Sequence, residues 1–73
     1  MEKSVVLGID IGGTNTIYGF VTLEGTIVFH DEIPTNGSKP ISNLIERISD
    51  KIKDFFSKNR EYFLNGIGIG APN

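Results

Sequence analysis

The sequence contains no cysteine and no tryptophan, and it has a single methionine. Without cysteine the chain forms no disulfide and offers no thiolate to a metal ion, so neither support can supplement a small core. No run of apolar residues approaches the roughly 20 residues that cross a bilayer, and the first residues lack the apolar stretch of a signal peptide. We therefore expect a cytoplasmic protein with no membrane partner.

Positive charge is also scarce and scattered. The chain has seven lysine and arginine residues against nine aspartate and glutamate residues, which gives a formal net charge of −2. This balance predicts no attraction to nucleic acid. The single histidine, His30, precedes Asp31 and Glu32, whose side chains point to opposite faces of a strand. We therefore expect His30 to be solvated rather than bound to a metal ion.

A chain of 73 residues forms at most one small domain. A domain of this size buries only roughly 60% of the surface of its unfolded chain, so it is marginally stable by itself. The last segment, GIGIGAPN, is a strand-like run that enters a loop. This ending favours a piece of a longer protein over the alternative, a small complete protein whose last strand closes its sheet.

Hydrophobic periodicity predicts four strands and one helix. Apolar residues alternate with polar or small ones over residues 4–11, 16–23 and 26–33, as in half-buried strands. Residues 40–57 carry apolar side chains at three- and four-residue spacing, which is the pattern of an amphipathic helix. Residues 66–71, which alternate glycine with larger residues, are predicted as the last strand.

Turn signals predict the connections between these elements. The pair Glu24-Gly25 predicts a two-residue hairpin, since glycine tolerates positive φ. Ser38 is the expected N-cap of the helix, and Pro40 is expected at an early helical position, where its missing N–H costs nothing. Residues 58–65 are predicted as the turn that follows the helix.

The element order β-β-β-α-β predicts an α/β fold with a mixed sheet. Two hairpins give an antiparallel meander, and the helix then crosses one face so that the last strand pairs in parallel with the first. The third strand, with an apolar start and a polar end, is expected at an edge of the sheet. A single helix leaves the other face bare, and we expect isolated chains to self-associate through that face or through the strand edges.

The turn between the first two strands has the composition of an anion site. Gly12 and Gly13 let backbone N–H groups approach a ligand closely and adopt positive φ, and successive amides in such a turn form an anion-binding concavity. Thr14 and Asn15 add a hydroxyl and a carboxamide as donors. Asp10 repels a bare phosphate, but a Mg²⁺ ion between the two reverses the sign of that interaction. The spacing D-x-G-G-T-N therefore suits a metal–nucleotide.

A plain hairpin explains the same residues. In that interpretation the glycines make the turn tight and Asp10 is a turn-capping acceptor, and the residues alone do not decide between the two. Other nucleotide motifs do not match. The chain has no G-x-x-x-x-G-K-[ST] of a P-loop, and GIGIGA is followed by Pro72 rather than by a helix, which disfavours a dinucleotide fold.

Two segments taken together resemble a known family. GIDIGGTNTIYGFV, then a helix, then GIGIGAPN are similar to the N-terminal segment of the ROK family of sugar kinases and related repressors, which includes bacterial glucokinases. The resemblance covers essentially the whole chain. It implies the ribonuclease-H-like (actin-like ATPase) fold, in which two α/β lobes close around ATP and substrate. Residues 1–73 are then part of the N-terminal lobe, truncated before the catalytic region.

The resemblance also implies site residues. It places the ATP phosphates and Mg²⁺ against the first turn, with Asp10 near the metal ion, and it places the last residues at the border of the sugar pocket. In the family, lysine is frequent at the position of Asn15, so the neutral amide here removes one cation near the phosphates. Glycine is frequent at the position of Asn73. The matching positions are Asp10, Gly12, Gly13, Thr14 and Asn15 for the cofactor, and Ala71, Pro72 and Asn73 for the sugar.

The implied function is phosphoryl transfer from Mg·ATP to a sugar hydroxyl in a glucokinase-like parent enzyme, with a hexose as substrate and a homo-oligomeric assembly. The family's catalytic base is an aspartate beyond residue 73, so we expect no catalytic residue in this chain and no kinase activity from it alone. Positioning and charge neutralisation supply most of the acceleration in such reactions. Two alternatives stay open: a piece of a sugar-sensing ROK repressor, and a structural fragment that binds nothing.

Overall fold

The computed structural model describes residues 3–70, which form four strands and one helix. Their order along the chain is β-β-β-α-β, as the periodicity predicts. Each observed strand or helix lies within one residue of its predicted bounds except the last strand. The elements are β1 (Lys3–Ile11), β2 (Asn15–Thr22), β3 (Ile27–Pro34), α1 (Ile41–Lys58) and β4 (Tyr62–Gly70).

The strands form one mixed sheet with the order β3-β2-β1-β4. The pairs β1–β2 and β2–β3 are antiparallel, because short turns connect them. Strand β4 is parallel to β1, because α1 carries the chain back over the sheet before β4 begins. The predicted mixed sheet and the edge position of β3 are confirmed, and β4 lies at the other edge.

The core lies between the sheet and α1. Alternate residues of β1 face the helix, and Val5 and Leu7 are fully buried there. The residues paired with them and with Ile9 continue this layer across β2, where Tyr18 and Phe20 are buried. The helix contributes three buried side chains to the same core: Leu44, Ile48 and Phe55.

An aromatic stack fixes the helix on the sheet. The rings of Phe20 and Phe55 stack with their centroids 4.1 Å apart and their planes 14° apart. Phe29 of β3 approaches Phe55 to 5.5 Å between centroids. The predicted apolar stripe of the helix is wider than the surface that the sheet buries, since Ile41 and Ile45 at its N-terminal end stay exposed. This helix, within the residues that the structure describes, is not apolar enough along its length to cross a membrane.

The start of α1 differs from the prediction. The helix begins at Ile41, Pro40 occupies the N-cap position, and no side chain makes a capping hydrogen bond. The prediction of Ser38 as N-cap and of Pro40 inside the helix was therefore wrong. The physical reason is that a residue before proline is driven away from helical backbone angles, so Lys39 cannot open a helix.

The β2–β3 turn is longer than predicted. The N–H of Thr22 donates to the carbonyl of Thr26 at 2.8 Å, and the N–H of Gly25 donates to the carbonyl of Thr22 at 3.0 Å. Three residues, 23–25, therefore form the loop, and the predicted two-residue Glu24-Gly25 hairpin was wrong. Gly25 has φ +92 and ends the loop as a left-handed residue, the usual geometry of a three-residue hairpin.

Strand β4 begins four residues earlier than predicted. Tyr62, Phe63 and Leu64 pair with Lys3, Ser4 and Val5, so residues predicted as a turn extend the parallel ladder. Aromatic and apolar residues favour such a pleated position. The ladder shifts after Val5, whose successor pairs with Gly66 rather than Asn65. Residue 71, the predicted last residue of this strand, lies outside the described residues.

Part of the sheet has no cover within residues 3–70. On the face away from α1, Ile17, Ile27 and Phe63 are 47%, 62% and 43% exposed, as expected for a sheet with one covering helix. Gly8 on this face pairs with Gly19 on one side and with Gly68 on the other. The row of glycines leaves a shallow trough of about 500 Å³ whose floor is backbone.

The helix also leaves the later part of β4 uncovered on its own side of the sheet. Ile67 and Ile69 pair with Leu7 and Ile9, so they share the face that α1 covers. They are nevertheless 57% and 60% exposed. The helix therefore lies mainly over β1, β2 and β3. It contacts the start of β4, where the ring centroids of Phe55 and Tyr62 are 6.1 Å apart, and the later part of the β4 edge is open on both sides.

Candidate functional site

The turn from Gly12 to Asn15 closes the β1–β2 hairpin. The N–H of Gly12 donates to the carbonyl of Asn15 at 3.0 Å, one step beyond the last ladder pair, Ile11 with Thr16. A Cβ on Gly12 would lie 2.7 Å from the oxygen of Asn15, which is closer than side chains tolerate. A Cβ on Gly13 would meet nothing within 4 Å. The tight turn therefore requires glycine at 12 but not at 13.

Neither glycine of this turn has the positive φ that the sequence predicts. Gly25 has the one positive-φ glycine backbone among residues 3–70. The prediction of positive φ at Gly12 and Gly13 was therefore wrong. The close approach of Gly12 to Asn15 explains the first glycine instead.

The loop after β3 lies behind this turn and binds its carbonyl groups. The hydroxyl of Thr35 donates to the carbonyl oxygen of Gly12 at 2.8 Å. The N–H of the same residue donates to the carbonyl oxygen of Thr14 at 2.8 Å. Two carbonyl groups of the turn therefore point toward Thr35.

The amide N–H groups of the turn point the other way. A planar trans peptide sets each N–H antiparallel to the carbonyl before it, so the N–H groups of Gly13 and Asn15 point away from Thr35. Within residues 3–70, the N–H groups of Gly13 and Thr14 donate to no backbone acceptor. Both residues are exposed. The turn therefore presents free amide donors to solvent, the arrangement that binds anions.

A buried hydroxyl completes the contact with the loop. Thr16 is fully buried, and its Oγ1 lies 2.8 Å from Oγ1 of Thr35. A hydroxyl has one proton, and Thr35 gives its proton to Gly12. Thr16 is therefore the donor in this pair, and the hydrogen bonds run in one direction from Thr16 through Thr35 to the turn.

Arg47 of α1 holds the same loop from the helix side. Its Nη1 donates to the carbonyl of Pro34 at 2.6 Å and its Nη2 to the carbonyl of Thr35 at 3.0 Å. Its Nε donates to Oδ1 of Asn43 at 3.0 Å, one helical turn away. The guanidinium group therefore uses its fork of donors to join α1 to the end of β3.

Asp10 lies beside the turn at the end of β1. It pairs with Ile17 on one side and with Gly70 on the other, and its side chain is on the face away from α1. A Cβ on Gly70 would lie 3.9 Å from Oδ1 of Asp10. The carboxyl ends of the parallel strands β1 and β4 therefore meet here, and ligands of α/β sheets bind at such ends.

The carboxylate of Asp10 has no structural partner in the part of the chain that the structure describes. The hydrogen bonds and the ion pair between side chains of residues 3–70 do not involve it, and it is exposed. The interpretation of Asp10 as a turn-capping acceptor therefore finds no contact there. A carboxylate with free oxygens is instead open to a ligand.

The structure places five of the predicted site residues at one corner of the sheet. Asp10 ends β1, Gly12 to Thr14 form the turn, and Asn15 begins β2. Across residues 3–70, no three His, Asp or Glu side chains come together as a metal site, and His30 is exposed. The predicted sugar-pocket residues lie outside the described residues: Ala71, Pro72 and Asn73.

Sequence reasoning missed three residues of this corner: Thr16, Thr35 and Arg47. The threonines carry no signal in the sequence, because their contact joins residues 19 apart along the chain. Arg47 does carry one. It lies between Leu44 and Ile48 at the border of the apolar stripe, where a cation needs a polar partner.

Comparison with known proteins adds one similarity. The chain matches no protein-family model. It is 34% identical over 76 residues to a curated protein named glucokinase from Halalkalibacterium halodurans. That similarity covers 99% of the present chain and 22% of the relative. The chain therefore spans about a fifth of the length of the curated relative that it matches.

Proposed function

We propose that this chain is the N-terminal part of an ATP-dependent, glucokinase-like hexose kinase. The observation that carries the proposal is the turn of free amides beside the unpartnered carboxylate of Asp10. The similarity to a glucokinase over nearly the whole chain supports it. The ROK family and the ribonuclease-H-like (actin-like ATPase) fold, which the sequence motifs imply, are part of the same proposal. The β-β-β-α-β order and mixed sheet are consistent with that fold.

The turn would hold the phosphates of ATP. The free N–H groups of Gly13 and Thr14 are suited to phosphate oxygens, since amide donors in a turn bind anions without a basic side chain. The hydroxyl of Thr14 and the carboxamide of Asn15 add donors at the same corner. Because Gly13 has open space above it, a phosphate group can approach the backbone closely.

Asp10 fits a Mg²⁺ ion that is bound together with the phosphates. Mg²⁺ binds through one or two carboxylates plus substrate phosphates and keeps several waters. One free carboxylate at this corner is therefore enough as the protein ligand. The absence of a larger acidic cluster in residues 3–70 agrees with this mode. When bound, the ion neutralises charge on the phosphate oxygens.

The residues of this chain bind and orient the donor half of the reaction. Turn 12–15 would hold the phosphates, and the carboxylate of Asp10 would hold the metal ion. Pro72 and Asn73 are proposed at the border of the hexose pocket. The family resemblance puts the aspartate base beyond residue 73. We therefore expect the isolated chain to transfer no phosphoryl group from Mg·ATP to glucose in a coupled ADP-release assay, and measurable turnover would contradict this.

A titration of the ¹⁵N-labelled chain tests the binding proposal. Addition of Mg·ATP is expected to shift the amide signals of Gly12 to Asn15 and to leave the distant Gly25 signal unchanged. Chelation of Mg²⁺ by EDTA is expected to weaken the effect. If saturating Mg·ATP shifts none of the turn signals, the chain does not bind nucleotide phosphates at this turn and the proposal is overturned.

A matched pair of variants tests the metal role. Asp10→Asn keeps the shape of the side chain and removes its charge, and we expect it to weaken Mg·ATP binding by about tenfold, which is about 1.4 kcal/mol. Asp50→Asn removes the same charge from an exposed position of α1 and is expected to bind like the wild type. Equal weakening in both variants would mean that general charge, rather than Asp10, controls binding.

A further inference from the structure

We infer that Thr35 and Arg47 are positioning residues for the phosphate-binding turn, an inference that rests on the proposed function. Neither residue is placed to touch the ligand, since both bind the carbonyl side of the turn and its supporting loop. Their contacts form one path from α1 to the turn. The path decides which way the peptide groups of the turn face.

The direction of the peptide groups matters because a peptide has two opposite ends. A carbonyl that faces a phosphate repels it, whereas an N–H that faces it attracts it. Thr35 binds the carbonyls of Gly12 and Thr14 with its hydroxyl and its N–H, both at 2.8 Å. It thereby fixes the N–H groups of Gly13 and Asn15 on the side away from Thr35 before any ligand arrives, and Gly13 is one of the proposed phosphate donors. Such prior orientation lowers the cost of binding.

Thr16 determines which way the hydroxyl of Thr35 donates its proton. Its buried hydroxyl donates to Oγ1 of Thr35, which leaves the proton of Thr35 free for the carbonyl of Gly12. A serine at 35 retains both roles of the hydroxyl. A valine at 35 keeps the shape and leaves the carbonyl of Gly12 and the hydroxyl of Thr16 without this partner.

Arg47 positions Thr35 itself. Two nitrogens of its guanidinium group donate to the carbonyls of Pro34 and Thr35, and Nε is tied to Asn43. These neighbouring carbonyls fit a planar fork of donors, which lysine cannot present. We therefore expect Arg47→Lys to keep the charge and to lose the orientation of the loop.

Four variants of the full chain separate positioning from simple stabilisation. Thr35→Val is expected to raise the Kd for Mg·ATP by about tenfold, which is about 1.4 kcal/mol. Thr35→Ser is expected to stay within about twofold of wild type, since it keeps both hydrogen bonds of the hydroxyl. Arg47→Lys is expected to weaken binding like Thr35→Val, and Lys53→Gln, an exposed change on α1, is the control for charge.

Two measurements are made on each variant. The first is the Kd for Mg·ATP from the amide shifts of Gly13 and Thr14. The second, in the absence of ligand, is the ¹⁵N order parameter of the Gly13 and Asn15 amides, whose peptide carbonyls Thr35 binds. It is expected to fall in Thr35→Val and to be restored in Thr35→Ser. A purely structural role lowers the urea midpoint but leaves the Kd and the order parameters of the still-folded molecules unchanged.

The outcomes separate the two hypotheses. If the wild type shows no shift with Mg·ATP, the proposed function fails and the inference fails with it. If the wild type binds and Thr35→Val binds with the same Kd and the same order parameters, the inference alone is overturned. A loss of binding in Thr35→Val that Thr35→Ser does not restore would also overturn it, because the hydroxyl would not be the cause.

Discussion

Replacing Gly12 and Gly13 by alanine, one at a time, separates the two reasons for glycine in the turn. A methyl group on Gly12 would lie 2.7 Å from the carbonyl oxygen of Asn15. That oxygen also accepts the N–H of Gly12 at 3.0 Å, so the turn must open and lose this hydrogen bond. We expect Gly12→Ala to cost about 2 kcal/mol of unfolding free energy, within the usual range for overpacked sites.

Gly13→Ala is expected to affect ligand binding rather than stability. A methyl group on Gly13 meets nothing within 4 Å, and Gly13 does not have a positive φ. Alanine at such a position stabilises a protein by about 0.4–1 kcal/mol, because it restricts the unfolded chain. We therefore expect Gly13→Ala to fold as well as wild type or better and to bind Mg·ATP about tenfold more weakly, since the methyl group occupies the space needed by a phosphate.

Urea unfolding followed by circular dichroism measures the first effect. With a slope of about 1 kcal/mol per M for a small domain, the midpoint of Gly12→Ala is expected to fall by about 2 M. Amide shifts measure the second effect. A Gly12→Ala variant as stable as wild type would refute the close-contact argument. A Gly13→Ala variant with wild-type affinity would show that no phosphate approaches the turn at this point.

Three further predictions concern the core, the pH dependence and the uncovered face. Phe55→Ala removes the ring that stacks on Phe20 and is expected to cost about 3–5 kcal/mol, which a urea titration detects as a chain that is largely unfolded in buffer. Burial, followed by the charges of Asp31 and Asp54, raises the pKa of Tyr18 above its usual 10.0. The folded state therefore holds this proton more tightly, so the stability it contributes is full below pH 10 and falls as the pH rises through the raised pKa. Tyr18→Phe is expected to flatten that alkaline loss in urea midpoints measured from pH 9 upward, and an unchanged slope would contradict it. Isolated chains are expected to self-associate through the bare sheet face or an open edge, and a single monomeric species in sedimentation at high concentration would contradict this.

The sequence predicts the fold better than its connections, for a physical reason. Alternation of apolar side chains reports which face of a strand is buried, and the core residues Val5, Leu7 and Phe20 follow it. The start of β4 was missed because Tyr62 to Leu64 gain their strand geometry from pairing with β1, a contact across most of the chain. The helix start was missed because Ser38 has the composition of an N-cap, whereas Pro40 dictates the backbone.

In the candidate site, too, the residues close together in the sequence could be predicted and those brought together by folding could not. The residues that present donors, Gly12 to Asn15, stand together in the sequence and could be predicted as one motif. The residues that orient them could not, because Thr35 and Arg47 reach the turn only after β3 and α1 have packed. Asp10 was predicted beside the turn. Whether its carboxylate has a hydrogen-bond or ion-pair partner depends on the side chains that folding brings near it, and the sequence does not report these.

The place of β1 in the sheet has a consequence for how the site responds to a ligand. Strand β1 is hydrogen-bonded on both sides, whereas β4 is an edge strand with Ile67 and Ile69 exposed. Free energies of local opening rise from weakly packed edges to central strands. We therefore expect the backbone at Asp10, in the central strand, to open rarely and the backbone at Gly70, in the edge strand, to open more often. Hydrogen exchange would show slow amides along β1 and fast ones along the end of β4, and a ligand at this corner would slow the second group much more than the first.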